Sequence, residues 1–272
     1  MSDPAATARL FLDLHHGDQP LLLPNPWDVG SARLLAHLGF RALATTSAGH
    51  AATLGRLDGG VSRQEALTHA AAIVAATDLP VSADFEKGFA DDPDGVAESV
   101  RLAAATGLAG LSIEDYTGDE GDPIFEPGLA AARVEAAAAA AHGGEARLVL
   151  TARCENYLRG RPDFGDTVAR LQAYQQAGAD VLYAPFMSGA AEIRQLVDAV
   201  DLPVNVLARP GAPAVAELAE LGVKRVSVGG AFAFAGLAAL QRAASEFLNQ
   251  GTYGFFDEVA AGVAARDAAF GP

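Results

Sequence analysis

The sequence predicts an α/β chain folded as a single (β/α)8 TIM barrel, on three observations. Short β-rich apolar runs alternate with longer Ala/Leu-rich amphipathic runs, and the alternation repeats eight times. No Ser- or Pro-rich linker interrupts it, so residues 1–272 are read as one domain. The first strand–helix junction reads Pro24-Asn25-Pro26-Trp27 and lacks the G-x-G-x-x-G turn of a dinucleotide fold. That argues against the structural alternative, an open doubly wound sheet.

The elements follow in order. The first strand is placed at 21–25 and its helix at 29–38, closed by Gly39. A second strand at 42–47 leads through a loop to a helix at 63–76. The third strand (80–85) precedes a helix at 96–106 that ends at Gly107. The fourth (110–115) precedes a helix at 129–141 that contains an alanine tract, and alanine is the best helix former. The fifth (147–153) precedes a helix at 167–177 closed by Gly178. The sixth (180–185) is followed by a helix at 190–200, the seventh lies at 203–208, and Gly222 precedes the eighth at 225–230. Each of these glycines can take the left-handed conformation that ends a helix. Near-continuous apolar runs at 148–150 and 204–207 suit a parallel sheet covered on its outer face. Residues 244–272 read as one or two extra helices carrying Phe247, Tyr253, Phe255 and Phe256. A closed barrel has no internal use for these rings, so they are expected at the interface of a homo-oligomer.

Composition narrows the function. Half the residues are hydrophobic (50%) and 19% are charged, which excludes a disordered chain. A net charge of −15 and the lack of a basic stripe exclude nucleic acid and anionic membrane surfaces as partners. An anionic substrate therefore needs local cations or a bound metal. The single cysteine excludes an internal disulfide and a thiolate metal cage. Residues 1–20 carry Asp3, Arg9 and Asp13 without an apolar targeting core, and no apolar span of membrane length follows. The expectation is a soluble cytoplasmic protein.

In such a barrel the chemistry sits where strands end. Asp58, Asp84, Glu86 and Glu114 fall at adjacent strand ends and can converge on one rim. Carboxylates brought together repel and call for a hard cation or a shared proton. Mg²⁺ (or Mn²⁺), held by one carboxylate directly and by others through water, fits that set. Arg153 ends the fifth strand and can clamp an anion with its paired donors, Asn205 on the seventh adds a neutral donor, and Arg209 adds a second cation. Ser47-Ala48-Gly49 is a small-residue turn whose amides can cradle an anion. His50 beside it reads either as an acid or base or as a loop histidine bonded to backbone. Trp27 reads either as pocket wall or as core. Lys87 is expected to offset the carboxylates, and Cys154 to be a small buried core residue.

These residues carry a resemblance. Thr45-Thr46-Ser47-Ala48-Gly49, Leu54-Gly55 with Asp58, Ala83-Asp84-Phe85-Glu86 with Gly88-Phe89, Ile113-Glu114-Asp115 and Ala152-Arg153-Cys154-Glu155 together resemble the isocitrate lyase/phosphoenolpyruvate mutase superfamily. The similarity runs in order over roughly residues 21–240 and includes Ala177-Gly178-Ala179-Asp180 and the run Leu221-Gly222-Val223-Lys224-Arg225-Val226-Ser227. The resemblance implies Mg²⁺ or Mn²⁺, enolate chemistry on 2-oxo acids, and dimers or tetramers that exchange the last barrel helix. It makes Asp84 the direct metal ligand and Asp58, Glu86 and Glu114 water-mediated ones. It makes Ser47, Ala48, Gly49 and Arg153 contacts to the substrate carboxylate, with Asn205 a weaker match and an aromatic at Trp27 common. There are departures. Members typically read Asp-x-Asp-x-Gly-Tyr-Gly after the third strand, where this chain has Asp84-Phe85-Glu86-Lys87-Gly88-Phe89. The lyases' Lys-Lys-Cys-Gly-His lid is replaced by Tyr116-Thr117-Gly118-Asp119-Glu120-Gly121-Asp122-Pro123-Ile124-Phe125-Glu126, and a mutase lid's lysine and asparagine are missing too.

The expected function is a Mg²⁺-dependent lyase acting on a small 2-oxo or 2-hydroxy acid through a metal-stabilised enolate, with Asp58, Arg153 and His50 as its catalytic candidates. Cleavage, decarboxylation or hydrolysis of an oxaloacetate- or methylisocitrate-like acid fits this reading. A 2-oxo-acid-binding protein with little turnover and a phosphonopyruvate-type P–C enzyme are the alternatives.

Overall fold

Asp3 and Pro4 start a helix that the sequence reading did not place. The Asp3 carboxylate accepts the Ala5 amide, and Pro4 sits in the first turn, where its missing N–H costs nothing. The computed structural model describes residues 3–271. In it α1 (Pro4–Leu14) closes the N-terminal end of the barrel. Fully buried Phe11 rests on Gly110, where an added Cβ would lie 2.8 Å from the ring.

Eight parallel strands follow: β1 (Leu21–Leu23), β2 (Leu43–Ala44), β3 (Val81–Asp84), β4 (Gly110–Glu114), β5 (Val149–Arg153), β6 (Val181–Tyr183), β7 (Val204–Leu207) and β8 (Arg225–Ser227). They alternate with α2 (Val29–His37), α3 (Ser47–Thr53) and α4 (Arg63–Ala76), α5 (Pro93–Ala104), α6 (Pro127–His142), α7 (Phe164–Gln176), α8 (Ala190–Ala199) and α9 (Val215–Glu220). The ladder order β1-β8-β7-β6-β5-β4-β3-β2 gives a nearly closed (β/α)8 barrel. Between β1 and β2 the seam is bridged locally. Ala44 N–H reaches Pro24 O at 3.0 Å, and the Asn25 amide donates to Thr45 O while accepting from Val228 and Gly229. Except for β5, which ends at Arg153 as predicted, the strands stop short of their predicted ends because their last residues leave the ladder to form the rim.

Gly39, Gly107, Gly178 and Gly222 take φ of 92°, 87°, 98° and 87°, the conformation their helix-closing positions require. Helix α4 has the bounds predicted for it, fixed at its start by a reciprocal cap between Ser62 and Glu65. The chain's end differs from expectation. Instead of a tail starting near residue 244, one long helix α10 (Ala231–Gln250) leaves the barrel, and α11 (Phe256–Phe270) returns to pack on α2. Of the described residues in α10 only Ala233 is buried, and Leu22 on the outer face of β1 is 42% exposed. No helix of the described residues is long and apolar enough to cross a membrane.

Candidate active site

The C-terminal ends of the strands surround a cavity of about 440 Å³. Its acidic side is built by β3 and β4 and the loops beyond β2 and β3. Asp84 ends β3, and its Oδ2 accepts from the Ser47 amide (3.0 Å) and hydroxyl (2.9 Å). Its Oδ1 pairs with Arg153 Nη1 at 2.7 Å. Arg153, 13% exposed, ends β5 and spends its other donors on Glu114 (2.9 Å) and buried Glu155 (2.9 Å). One guanidinium thus ties three carboxylates.

Three of the acids are shifted toward their neutral forms: Glu86, Glu114 and Asp58. Burial pushes the Glu86 carboxyl up to about 7, helped by the charges of Asp84 and Asp58. Glu114 is held well above the usual carboxylate range by burial and by Glu155, Asp84 and Glu86, with Arg153 opposing. Asp58, on the rim loop, is raised by desolvation and then by Asp84. Glu86 sits at φ +48°, one of three non-glycine residues in the left-handed region among those described. This kinked backbone turns the loop after β3 into the rim, and Glu86 O accepts the Glu114 amide at 3.0 Å.

Ser47, Ala48, Asp58, Asp84, Glu86, Glu114, Arg153 and Asn205 all line the cavity. Four other residues do not. The predicted turn at Ser47-Ala48-Gly49 is the first turn of α3, capped by Thr46, and helical rotation carries the next residues off the cavity. Gly49 is packed beneath it: an added Cβ would lie 2.5 Å from Thr46 Cγ2 and 3.0 Å from Trp27 Cβ, and its amide serves Thr46. His50 lies behind the acids, stacked on His69 at 3.8 Å with neither ring nitrogen bonded, and burial lowers its pKa. His50 thus lies outside the cavity wall, in a small adjoining recess shared with Asp84 and Glu86. Trp27, whose carbonyl contacts His69 Nε2, walls an outer apolar groove with Val29 and Leu54. Arg209 is stacked on Phe186 at 4.0 Å and is not part of the cavity wall.

Other lining residues escaped the sequence reading. Tyr116 and Glu120 come from the loop after β4, with the Tyr116 hydroxyl 2.8 Å from Glu120. Arg159 stacks on Tyr116 at 3.3 Å. Lys87 anchors the same loop through Thr117 O (2.6 Å) and pairs with Asp91, and its charge also acts on Glu86, opposing the rise of that pKa. Tyr183 and Arg225 line the cavity from β6 and β8. Asp115 turns away into a buried network with Tyr174 and Arg170, and Cys154 is buried as expected.

A divalent metal fits the donor set. The acids offer hard oxygen ligands, and burial, with the neighbouring carboxylates adding to it, makes their charged forms costly in the absence of a cation. Among the described residues no three His, Cys, Asp or Glu side chains cage an ion by themselves. That suits Mg²⁺, which takes one or two carboxylates and keeps several waters.

A barrel with an acidic, arginine-braced cavity at its strand ends has the architecture of an enzyme, and comparison narrows the class. The profile of the phosphoenolpyruvate phosphomutase family matches residues 11–248. A protein from Burkholderia cenocepacia J2315, provisionally described as a lyase/mutase, has a crystal structure with 52% identity and a TM-score of 0.91, covering 93% of this chain and 92% of that one. An uncharacterized protein of Mycobacterium tuberculosis is 37% identical over 235 residues, 86% of this chain and 87% of its own. The oxaloacetate decarboxylase of Paraburkholderia xenovorans is 32% identical over 209 residues, 74% of this chain and 67% of its own. The chain belongs to the phosphoenolpyruvate phosphomutase family, within the PEP mutase/isocitrate lyase superfamily.

Proposed function

We propose that this chain is a divalent-metal-dependent lyase acting on a small 2-oxo or 2-hydroxy carboxylic acid. The reaction is cleavage, decarboxylation or hydrolysis of an oxaloacetate- or methylisocitrate-like acid. The observation that carries this reading is the set of carboxylates Asp84, Glu86 and Glu114 at adjacent strand ends, with Asp58 on the rim, braced by Arg153 around one cavity. Like charges gathered in that number around one cavity need a cation or a function. The similarity to an oxaloacetate decarboxylase supports the substrate class.

In this reading Asp84 holds Mg²⁺ directly, while Asp58, Glu86 and Glu114 hold its waters. The metal supplies Lewis-acid polarisation of the substrate's oxygens. Ser47 and Ala48 line the wall that receives the carboxylate. Arg153 keeps the acids in place and offers positive charge as enolate character develops on the substrate. The lid residues 117–125 hold no Lys, Cys or His, so water returns the proton. That same lid favours the second reading, a 2-oxo-acid-binding protein with little turnover. A P–C enzyme ranks below both, because the mutase lysine and asparagine are missing. The exposed face of α10 is proposed as the contact through which copies of the chain associate, covering Leu22 and the barrel beside it.

The test is calorimetry with Mg²⁺ and a 2-oxo acid present together, on the native chain and on Asp84→Asn. The native chain should bind the metal, and the variant should lose at least tenfold in affinity. Undiminished binding in the variant removes Asp84 from the metal site.

A further inference from the structure

Besides Arg153 and Arg159, the cavity contains a third cation. Arg225 is 4% exposed, starts β8 and lines the cavity. Parallel pairing sets Arg153 opposite Tyr183, Tyr183 opposite Asn205, and Asn205 opposite Arg225. The two arginines thus end one row of paired residues, with Tyr183 and Asn205 between them.

Their partners differ in kind. Arg153 is saturated by three carboxylates. Arg225 is held only by neutral acceptors: Asn205 Oδ1 (2.9 Å), Thr151 Oγ1 (3.0 Å) and His15 Nε2 (3.3 Å). His15 Nδ1 lies 2.7 Å from Phe11 O and donates to it, which leaves Nε2 as an acceptor. Burial drives the His15 pKa down to about 3, so the ring is neutral and adds no negative charge. Among the described residues Arg225 has no carboxylate partner, and its Nη2 makes no hydrogen bond. Burial and the nearby Arg153 lower its pKa to about 10, which still leaves it charged at neutral pH. An uncompensated guanidinium inside a cavity whose other cations, Arg153 and Arg159, already face carboxylates is a site for an anion. Asn205 Nδ2 donates to Ser227 Oγ (3.0 Å), so that hydroxyl remains a donor on the same wall, shared with the neighbouring Tyr183.

We propose that Arg225, with the Ser227 hydroxyl, forms a second anion subsite on the cavity wall, so that the chain selects a dicarboxylic 2-oxo acid over a monocarboxylic one. The proposal rests on the reading of the cavity as a 2-oxo-acid site. The first carboxylate and the oxo group face the acidic cluster and its metal, and the second carboxylate takes the free Nη2 of Arg225.

Calorimetry on the full chain with Mg²⁺ compares acids of matched length: oxaloacetate with 2-oxobutyrate, and 2-oxoglutarate with 2-oxopentanoate. The native chain should bind the diacid of at least one pair tenfold or more tightly than its monoacid. One charge-assisted hydrogen bond is worth roughly ten- to a hundredfold in affinity. Arg225→Gln should bring that diacid to within about threefold of its monoacid and leave the monoacid unchanged, and Arg225→Lys should recover part of the preference. Equal affinities in the native chain overturn the proposal without any variant, so it stays testable even where Arg225→Gln does not fold. A diacid preference that survives in folded Arg225→Gln also overturns it. Binding of both acids without discrimination removes this subsite alone, whereas binding of neither removes the 2-oxo-acid reading and the subsite with it.

Discussion

Replacing Arg153 by glutamine tests the electrostatic account of the site. The substitution keeps a polar side chain but removes the cation shared by Asp84, Glu114 and Glu155. Three charge-assisted bonds of about 1.5–3 kcal/mol each set a ceiling near 9 kcal/mol. The acids relieve part of that by taking up protons, so the expected loss near pH 8 is the cost of breaking a buried ion pair, about 3–5 kcal/mol. The pH dependence follows in sign. Without Arg153 the folded-state pKa values of Glu114 and Glu155, already raised by burial, rise further above their unfolded values. The native variant then binds more protons than the unfolded chain, and stability falls as pH rises. Each pH unit is worth up to about 1.4 kcal/mol per carboxyl, so the deficit should shrink by about 2–3 kcal/mol between pH 8 and pH 6. Urea unfolding followed by far-UV circular dichroism at both pH values measures it. A deficit below about 1 kcal/mol, or one that does not change with pH, would refute the idea that Arg153 neutralises this cluster.

Two further outcomes are expected. His15 is buried neutral with its pKa lowered from 6.5 to about 3, so its contribution is complete above pH 6.5 and is lost as pH falls toward 3. Acid titration of His15→Gln should therefore be flatter over that window than that of the native chain, by up to about 5 kcal/mol at its lower end; parallel curves would remove His15 as the source. The native chain should scatter light as a particle heavier than 27.8 kDa. Leu237→Asp combined with Leu240→Asp, on the exposed face of α10, should lower that mass, and a native monomer contradicts the assembly.

What the sequence made legible follows from which forces are local. Helix-ending glycines and the Ser62–Glu65 cap act within a few residues, so α4 and the closing glycines stand where the pattern put them. The Asp3-Pro4 signal for α1 was present in the sequence but lay outside the strand–helix repeat. The start of α10 at Ala231 was missed because the extra helices were read only from residue 244, beyond the eight strand–helix repeats. Among site residues, those at strand ends converged as expected. His50 and Gly49 did not, because the turn after β2 is helical and rotates each successive side chain by about 100°. Arg225 was missed for another reason. It lies at the start of its strand and enters the cavity because its side chain points into the barrel, which no strand-end rule captures. The free-cation role expected of Arg209 falls to Arg225, since Arg209 is engaged by Phe186.

The central claim is that the acidic cluster serves a metal-dependent reaction on a 2-oxo or 2-hydroxy acid. The most direct measurement follows oxaloacetate, 2-methylisocitrate and phosphonopyruvate by proton and phosphorus magnetic resonance, with the native chain and Mg²⁺, against enzyme-free controls. The account predicts that at least one of the two carbon acids is consumed faster than in its control, and that chelation of the metal or Asp84→Asn abolishes the difference. Consumption that persists after chelation, or reaction of phosphonopyruvate alone, contradicts it.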